Sequence, residues 1–208
     1  MTQRHTLTTT GALLLAMTTG GLLVTSSGCS SAVPTATPGI ERLGRYVLQE
    51  STSEVELVVA YKYATMSLGN EWMILEVAAT SPVGTTARLE REKIFLTIPD
   101  GSTVPLATQR QFGEVYSKLR PQIAQANIVR EPMSYFPPNR EACSLGLFVA
   151  PGEGVVFNEV SLNDRRACQG KLLFRIPGGV QPGRYVLGVD LKESRIRIPF
   201  ELPTTPPA

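Results

Sequence analysis

Apolar and polar residues alternate in short runs along most of the chain, the period-two pattern of strands that bury one face. Between Glu54 and Met66 the odd positions Val55, Leu57, Val59, Tyr61 and Tyr63 form one apolar face. The stretch is rich in β-branched and aromatic residues and predicts one long strand. Ser67–Asn70 supplies a turn. Glu71–Thr80 is the most apolar run and predicts a central strand, with Trp72, Ile74 and Glu76 on one face and Met73, Leu75 and Val77 on the other. Lys93–Ile98 and Val104–Thr108 flank the turn signal Pro99-Asp-Gly-Ser102 and predict a hairpin. Further strands are predicted over Ser144–Val149, Gly154–Leu162, Lys171–Ile176, Arg184–Lys192 and Arg195–Leu202. In the last two, Tyr185, Leu187, Val189 and Leu191, then Ile196, Ile198 and Phe200, point inward.

The period changes once. Phe112, Val115, Tyr116 and Leu119 stand at i, i+3, i+4 and i+7, the apolar stripe of a helix, and predict a helical insertion over Arg110–Arg130. Pro121 is expected to end the first helix and open a second turn carrying Ile123, Ala126 and Val129. Gln111, Glu114, Lys118 and Gln122 fall on the opposite face. The proline-rich loop Ser134–Glu141 follows, and its Tyr135 and Phe136 either extend a partner surface with Lys118 and Gln122 or cover a sheet edge. About seven to nine short strands separated by regular turns predict an all-β fold, an antiparallel β-sandwich with a helical insertion around 110–130.

The ends read differently. Ser30–Gly39 is small, polar and punctuated by proline, which predicts a flexible tether over residues 29–42, a sandwich domain over 43–202 and a disordered tail over 203–208. Ahead of the tether, Arg4 precedes the apolar Gly11–Met17 and the run L-L-V-T-S-S-G-C of Leu22–Cys29, the layout of a signal peptide over residues 1–28. Thr18–Gly21 interrupts that run well short of the roughly 18–20 residues that span a bilayer.

Removing residues 1–28 takes away Arg4 and His5, the one histidine, and leaves 19 basic against 18 acidic residues. That balance provides no basic face for nucleic acid. A chain without histidine has no Ser-His-Asp or Cys-His arrangement, no histidine metal ligand and no imidazole base, so neither a metal nor a cofactor is expected. Of the three cysteines, Cys143 and Cys168 stand in the mature domain. Export places them in an oxidising compartment, where the expected outcome is a disulfide worth about 3 kcal/mol; two separate buried thiols are the alternative.

Two resemblances follow from these residues. Ser27-Gly28-Cys29 resembles the lipobox of bacterial lipoproteins, although Ser26 stands where that pattern has leucine. The resemblance implies cleavage before Cys29, a diacylglycerol on its sulfur and a protein held to the cell envelope by that lipid. Ser30, rather than aspartate, after the cysteine implies the outer membrane in a diderm. Cleavage after Ser30-Ser31-Ala32, releasing a soluble protein, is the alternative. Gln181-Pro-Gly-Arg-Tyr-Val-Leu187 is similar to the P-G-x-Y-x-L entry to a late strand of immunoglobulin-like domains, which implies an immunoglobulin-like sandwich with the Tyr185 hydroxyl bonded to nearby backbone.

No phosphate-binding loop, nucleophile elbow, C-x-x-C or calcium loop occurs in the sequence. Ser117-Lys118 lies on the predicted helix, where a solvated face is the ordinary reading. The function expected is a non-catalytic envelope lipoprotein that binds a protein or glycan partner. A hydrolase using two of Glu131, Glu141, Glu153 and Asp164, or a soluble secreted protein of structural role, are the alternatives. If Cys29 carries the lipid, the wild-type protein should fractionate with membranes and incorporate palmitate, and Cys29→Ala should abolish both; a wild-type product found wholly soluble and starting at Val33 would refute it.

Overall fold

A computed structural model of the chain describes residues 39–126 and 132–204. Residues 1–38, with the expected signal segment and Cys29, and likewise Val129, Glu131 and residues 205–208 lie outside the described residues. The fold is all-β, with the strands in three sheets and two α-helices among the described residues. In chain order the elements are β1 (Ile40–Gly44), β2 (Val47–Ser51), β3 (Glu56–Ala60), α1 (Lys62–Met66), β4 (Trp72–Thr80), β5 (Thr86–Glu90), β6 (Ile94–Thr97) and β7 (Thr103–Pro105). There follow α2 (Gln109–Ala126), β8 (Glu141–Ser144), β9 (Glu159–Asn163), β10 (Arg166–Arg175), β11 (Gly183–Asp190) and β12 (Arg195–Leu202).

Strands β1 to β4 run as an antiparallel meander, and β10 and β8 extend it into a six-stranded sheet of order β1-β2-β3-β4-β10-β8. A four-stranded sheet, β12-β11-β6-β7, faces it, and β5 pairs with β9 as a separate ribbon. Their inner faces make one sandwich-like core: Leu57, Met73, Leu75 and Phe174 from the larger sheet, Ile94, Leu187, Ile198 and Phe200 from the smaller, Leu89 and Leu162 from the ribbon. Among the described residues every neighbouring strand pair is antiparallel except β8 with β10, which is parallel.

Tyr185 is fully buried, and its hydroxyl donates to the Gln181 carbonyl at 2.8 Å while accepting the Gln181 N–H at 3.0 Å. Both capacities of the phenol are thus used on the turn that leads into its own strand. Burial holds its pKa above the usual phenol value. The hairpin between β6 and β7 turns through Gly101 at φ +86°, and the Ser102 N–H donates to Asp100 Oδ1 at 2.7 Å.

Four expectations change. The stretch from Glu54 to Met66 is not one strand: β3 ends at Ala60, and α1 follows. Pairing with β4 stops at Ala60 opposite Glu76, and the helical turn then sends Tyr61 and Ala64 into the central core but Tyr63 to the other side of the sheet. The tether does not reach residue 42, because β1 begins at Ile40, which pairs with Glu50 and packs on the core. Pro121 does not end the helix. It is an exposed residue inside α2, so the Ser117 carbonyl that loses its N–H partner belongs to a solvated face. Strands expected over Ser144–Val149 and Gly154–Leu162 begin and end elsewhere, at Glu141–Ser144 and Glu159–Asn163.

The two sheets are joined along β2 and β12 by carboxylates. Glu50 Oε2 accepts the Arg197 N–H at 2.7 Å, and Glu54 Oε2 accepts the Ser194 hydroxyl at 2.7 Å and the Glu193 N–H at 2.9 Å. Desolvation pushes the Glu50 pKa up, against the opposing hydrogen bond and charge of Arg197. A raised folded pKa means that the folded state holds its proton more tightly, so this group favours folding below its unfolded pKa and loses that contribution as pH rises through the folded value. Glu50→Gln keeps an acceptor for Arg197 without the charge. Its stability relative to wild type should therefore increase between pH 4 and pH 7 in thermal melts, roughly spanning the range in which a glutamate titrates; a difference that shrinks over that range would refute the assignment.

Candidate functional site

The outer face of the six-stranded sheet is covered in two places. Helix α2 lays Phe112, Leu119 and Ala126 on Trp72, Ile74 and Leu173 at one end. At the other end Phe136 and Met133 cover Val47, Val58, Ala60, Ala78 and Ala167. Between the two covers lies a groove of about 560 Å³. Glu76 of β4 and Lys171 of β10 stand directly opposite each other in the sheet register and line it, with 3.8 Å between Oε1 and Nζ.

The walls come from three places. Phe112, Tyr116 and Ile123 project from α2, Leu147 and Phe148 from the segment after β8, and Ser144, Gln169 and Gly170 from the neighbouring strands. Phe112 meets Tyr116 and Phe148 edge to face, with ring centroids 5.4 Å apart in each case. A capping box starts α2: Thr108 Oγ1 accepts the Gln111 N–H at 3.2 Å, and Gln111 Oε1 accepts the Thr108 N–H at 2.9 Å. The T-Q-R-Q of Thr108–Gln111 carries that signal in the sequence, where it fixes the helix start and hence the phase of Phe112 and Tyr116.

Two side chains, the buried Arg91 and the half-buried Gln109, hold the segment 145–149 in place. Arg91 is 7% exposed; its guanidinium donates to the carbonyls of Ala107 and Leu147 and lies 4.7 Å from the Phe148 ring centroid. Burial lowers its pKa, and its Nε has no hydrogen-bond partner among the described residues. Gln109 makes a two-way amide bridge with Val149, Nε2 donating to the carbonyl at 2.6 Å and Oε1 accepting the N–H at 3.2 Å. Gly146 turns the segment at φ +57°, and the Phe157 ring lies 2.5 Å from where a Cβ would stand, so only glycine fits.

The edge strand β8 closes the groove. Cys143 and Cys168 form a disulfide between paired positions of the parallel β8 and β10, with Cα atoms 4.3 Å apart. The bridge therefore joins neighbours within one sheet rather than two sheets. Just before β8, Arg140 donates to the Thr80 hydroxyl and the Ser81 carbonyl and lies 3.7 Å from Glu56. Together these fasten a strand of four residues that has one paired neighbour.

Of the residues singled out from the sequence, Cys143 lines this groove, and those expected at a partner surface fall around it. Lys118 is exposed on α2, and Tyr135 is 37% exposed with its hydroxyl close to Gly44. Phe136 is buried against the sheet. Gln122 is not on the outer face: it is half-buried and its Oε1 is buried without a partner among the described residues. The helical angle explains this, since position 122 follows Leu119 by three and precedes Ala126 by four, on the same side of the helix. Of the acids considered for catalysis, Glu141, Glu153 and Asp164 do not line the groove, and Glu131 lies outside the described residues. The strand pattern places Glu76 and Lys171 without marking them as a site; the one signal in the sequence is a lone glutamate within W-M-I-L-E-V-A-A.

No protein-family model, curated protein or solved structure matches this chain. Loss of the disulfide should be felt first at the groove wall. Cys168→Ser should lower stability by about 2–5 kcal/mol in denaturant melts. It should also speed amide exchange over Glu141–Ser144 more than over β11; equal protection of β8 in both proteins would refute the fastening role.

Proposed function

We propose that the chain is a non-catalytic, lipid-anchored protein of the bacterial cell envelope, whose immunoglobulin-like domain holds a protein or glycan partner at the groove between α2 and β8. The observation that carries the reading is the Glu76–Lys171 pair at the groove. On the outer face of β4 and β10 it sits between the apolar pair Ile74 and Leu173 and the position of Ala78. Replacing a buried ion pair by well-packed apolar residues is often neutral or stabilising by about 1–4 kcal/mol. Lys171 stands half-buried beside the buried Glu76, so the pair carries a desolvation cost that apolar residues would avoid, and recognition of a polar ligand is a use for it that supports the reading.

Two further features support the reading. A disulfide is the ordinary state of paired thiols in an exported protein, as the lipobox-like Cys29 implies. The groove joins aromatic and aliphatic walls to a few polar groups, the usual make-up of a ligand site. Gln169 is exposed at the groove mouth, so Gln169→Trp should obstruct it without disturbing the core. Full-length protein bearing that change should recover less than a tenth of the partner that wild type captures from detergent-solubilised envelopes. Lys118→Glu and Tyr135→Ala, beside the groove, should weaken capture less. Undiminished recovery with all three would overturn the proposed site.

A further inference from the structure

We propose that the loop 150–158 is a second membrane contact, which sets Val155 and Phe157 into the headgroup region of the bilayer holding the lipid of Cys29; this rests on the lipid-anchored part of the proposed function. Among the described residues the exposed large apolar side chains are Met66, Val83, Tyr135, Val155 and Phe157. Such residues standing singly are ordinary. Val155 and Phe157 instead share one loop, 70% and 50% exposed, with the half-buried Val156 between them. Nor is the loop loose. The Glu153 N–H donates to the Ala150 carbonyl at 2.9 Å across Pro151-Gly152, with Gly152 at φ +83°, a turn that needs glycine in its third place. The Phe157 N–H donates to the Gly146 carbonyl at 3.0 Å, and the Asn158 carbonyl accepts the Arg91 N–H at 2.8 Å. The loop is tied at both ends, and its apolar run is held toward solvent.

Strand register fixes how far this loop lies from the tether. Ile40 pairs with Glu50, Glu50 with Leu57, Leu57 with Ala79, Ala79 with Cys168 and Cys168 with Cys143. Ile40 and Cys143 therefore stand in one row across the whole larger sheet. The strand spacings along that row make about 24 Å, and Gly146, three residues beyond Cys143, lies about 10 Å further along the strand direction. The separation is about 26 Å in all. Residues 29–38 can span up to about 33–36 Å, so the loop under Phe157 comes within reach of the bilayer that holds Cys29. Once the chain is anchored the contact is intramolecular, and a weak intrinsic affinity suffices. The loop's one charge is Glu153, with no lysine or arginine. Apolar surface rather than attraction to anionic lipid thus supplies the contact. Its depth is the headgroup level, where water still serves the backbone groups of a loop.

The test is fluorescence quenching of the acylated full chain, reconstituted in phosphatidylethanolamine–phosphatidylcholine vesicles brominated at the acyl carbons nearest the headgroup. Trp72 is buried and gives a constant background. Val155→Trp should be quenched about twice as strongly as Val83→Trp, whose site is 87% exposed in a different turn. Both substitutions fall at solvated positions, and thermal melts matching wild type confirm the fold. Adding Phe157→Ser to the Val155→Trp protein should reduce the quenching. Replacing part of the phosphatidylcholine by phosphatidylglycerol should not increase it, because Glu153 is the only charge in the loop. Quenching at position 155 no greater than at position 83, in protein shown to carry the lipid, would overturn the membrane contact and leave the anchor standing. The exposed run would then belong to a protein partner. Quenching that rises with phosphatidylglycerol would overturn the apolar basis of the contact. Protein from cells that carries no acyl group on Cys29 would overturn the anchor reading and this contact together.

Discussion

Burial of β4 on both faces is the constraint around which the domain is built. All nine of its residues are buried, with Met73, Leu75, Val77 and Ala79 against the smaller sheet and Trp72, Ile74 and Ala78 under other cover. A half-exposed strand would need only one apolar face, but this one needs two lids. The four-stranded sheet provides the first. The second is assembled from unlike parts, a helix at one end and the segment around Phe136 at the other. Among the described residues those parts leave a groove between them, with Glu76 and Lys171 in its lining. The helical insertion is thus accounted for as a cover of the sheet's outer face.

Such a groove can recognise a ligand only if its walls hold still, since ordering them on binding would offset the gain. The weakest wall by ordinary criteria is β8, a four-residue strand at the sheet edge. It is also where the covalent and charged fastenings concentrate: the Cys143–Cys168 bridge within the strand pair, and Arg140 on Thr80, Ser81 and Glu56 just before it. The segment that follows is fixed by Arg91 and Gln109, which satisfy its backbone groups in the absence of a paired strand. Arg91 gives up hydration for two carbonyls and a ring face, a cost that the segment's fixed position helps to explain.

The alternation of β11 and β12, the Asp100-Gly101 hairpin, the central place of β4 and the apolar stripe of α2 were all legible in the residues. Each rests on a local rule, a period of two or 3.6 or a turn that only certain residues make, and such rules act over a few neighbours. The Tyr185 corner belongs with them, because its partner is four residues away. The all-β class follows from the same patterns.

What tertiary structure alone decided is where local signals were equal or absent. The run from Val55 to Tyr63 alternates without a break, yet pairing with β4 ends at Ala60 and a helical turn follows, a point that no local signal in the run marks. Cys143 and Cys168 read as a bridge, but parallel pairing across an intervening strand, and so a bridge within one sheet, depends on how β9 leaves to join β5. Gln122 read as outward until the helix continued through Pro121 and carried it round to the Leu119 side. Glu76 and Lys171 lie 95 positions apart, one in an apolar run and one in an ordinary alternation, and neither is informative alone. Their meeting requires β10 to pair antiparallel with β4 in one register, and a slip of β10 by one residue would send Lys171 to the face opposite Glu76. Sequence period determined which face each residue takes; only the pairing of distant strands determined what it would face there.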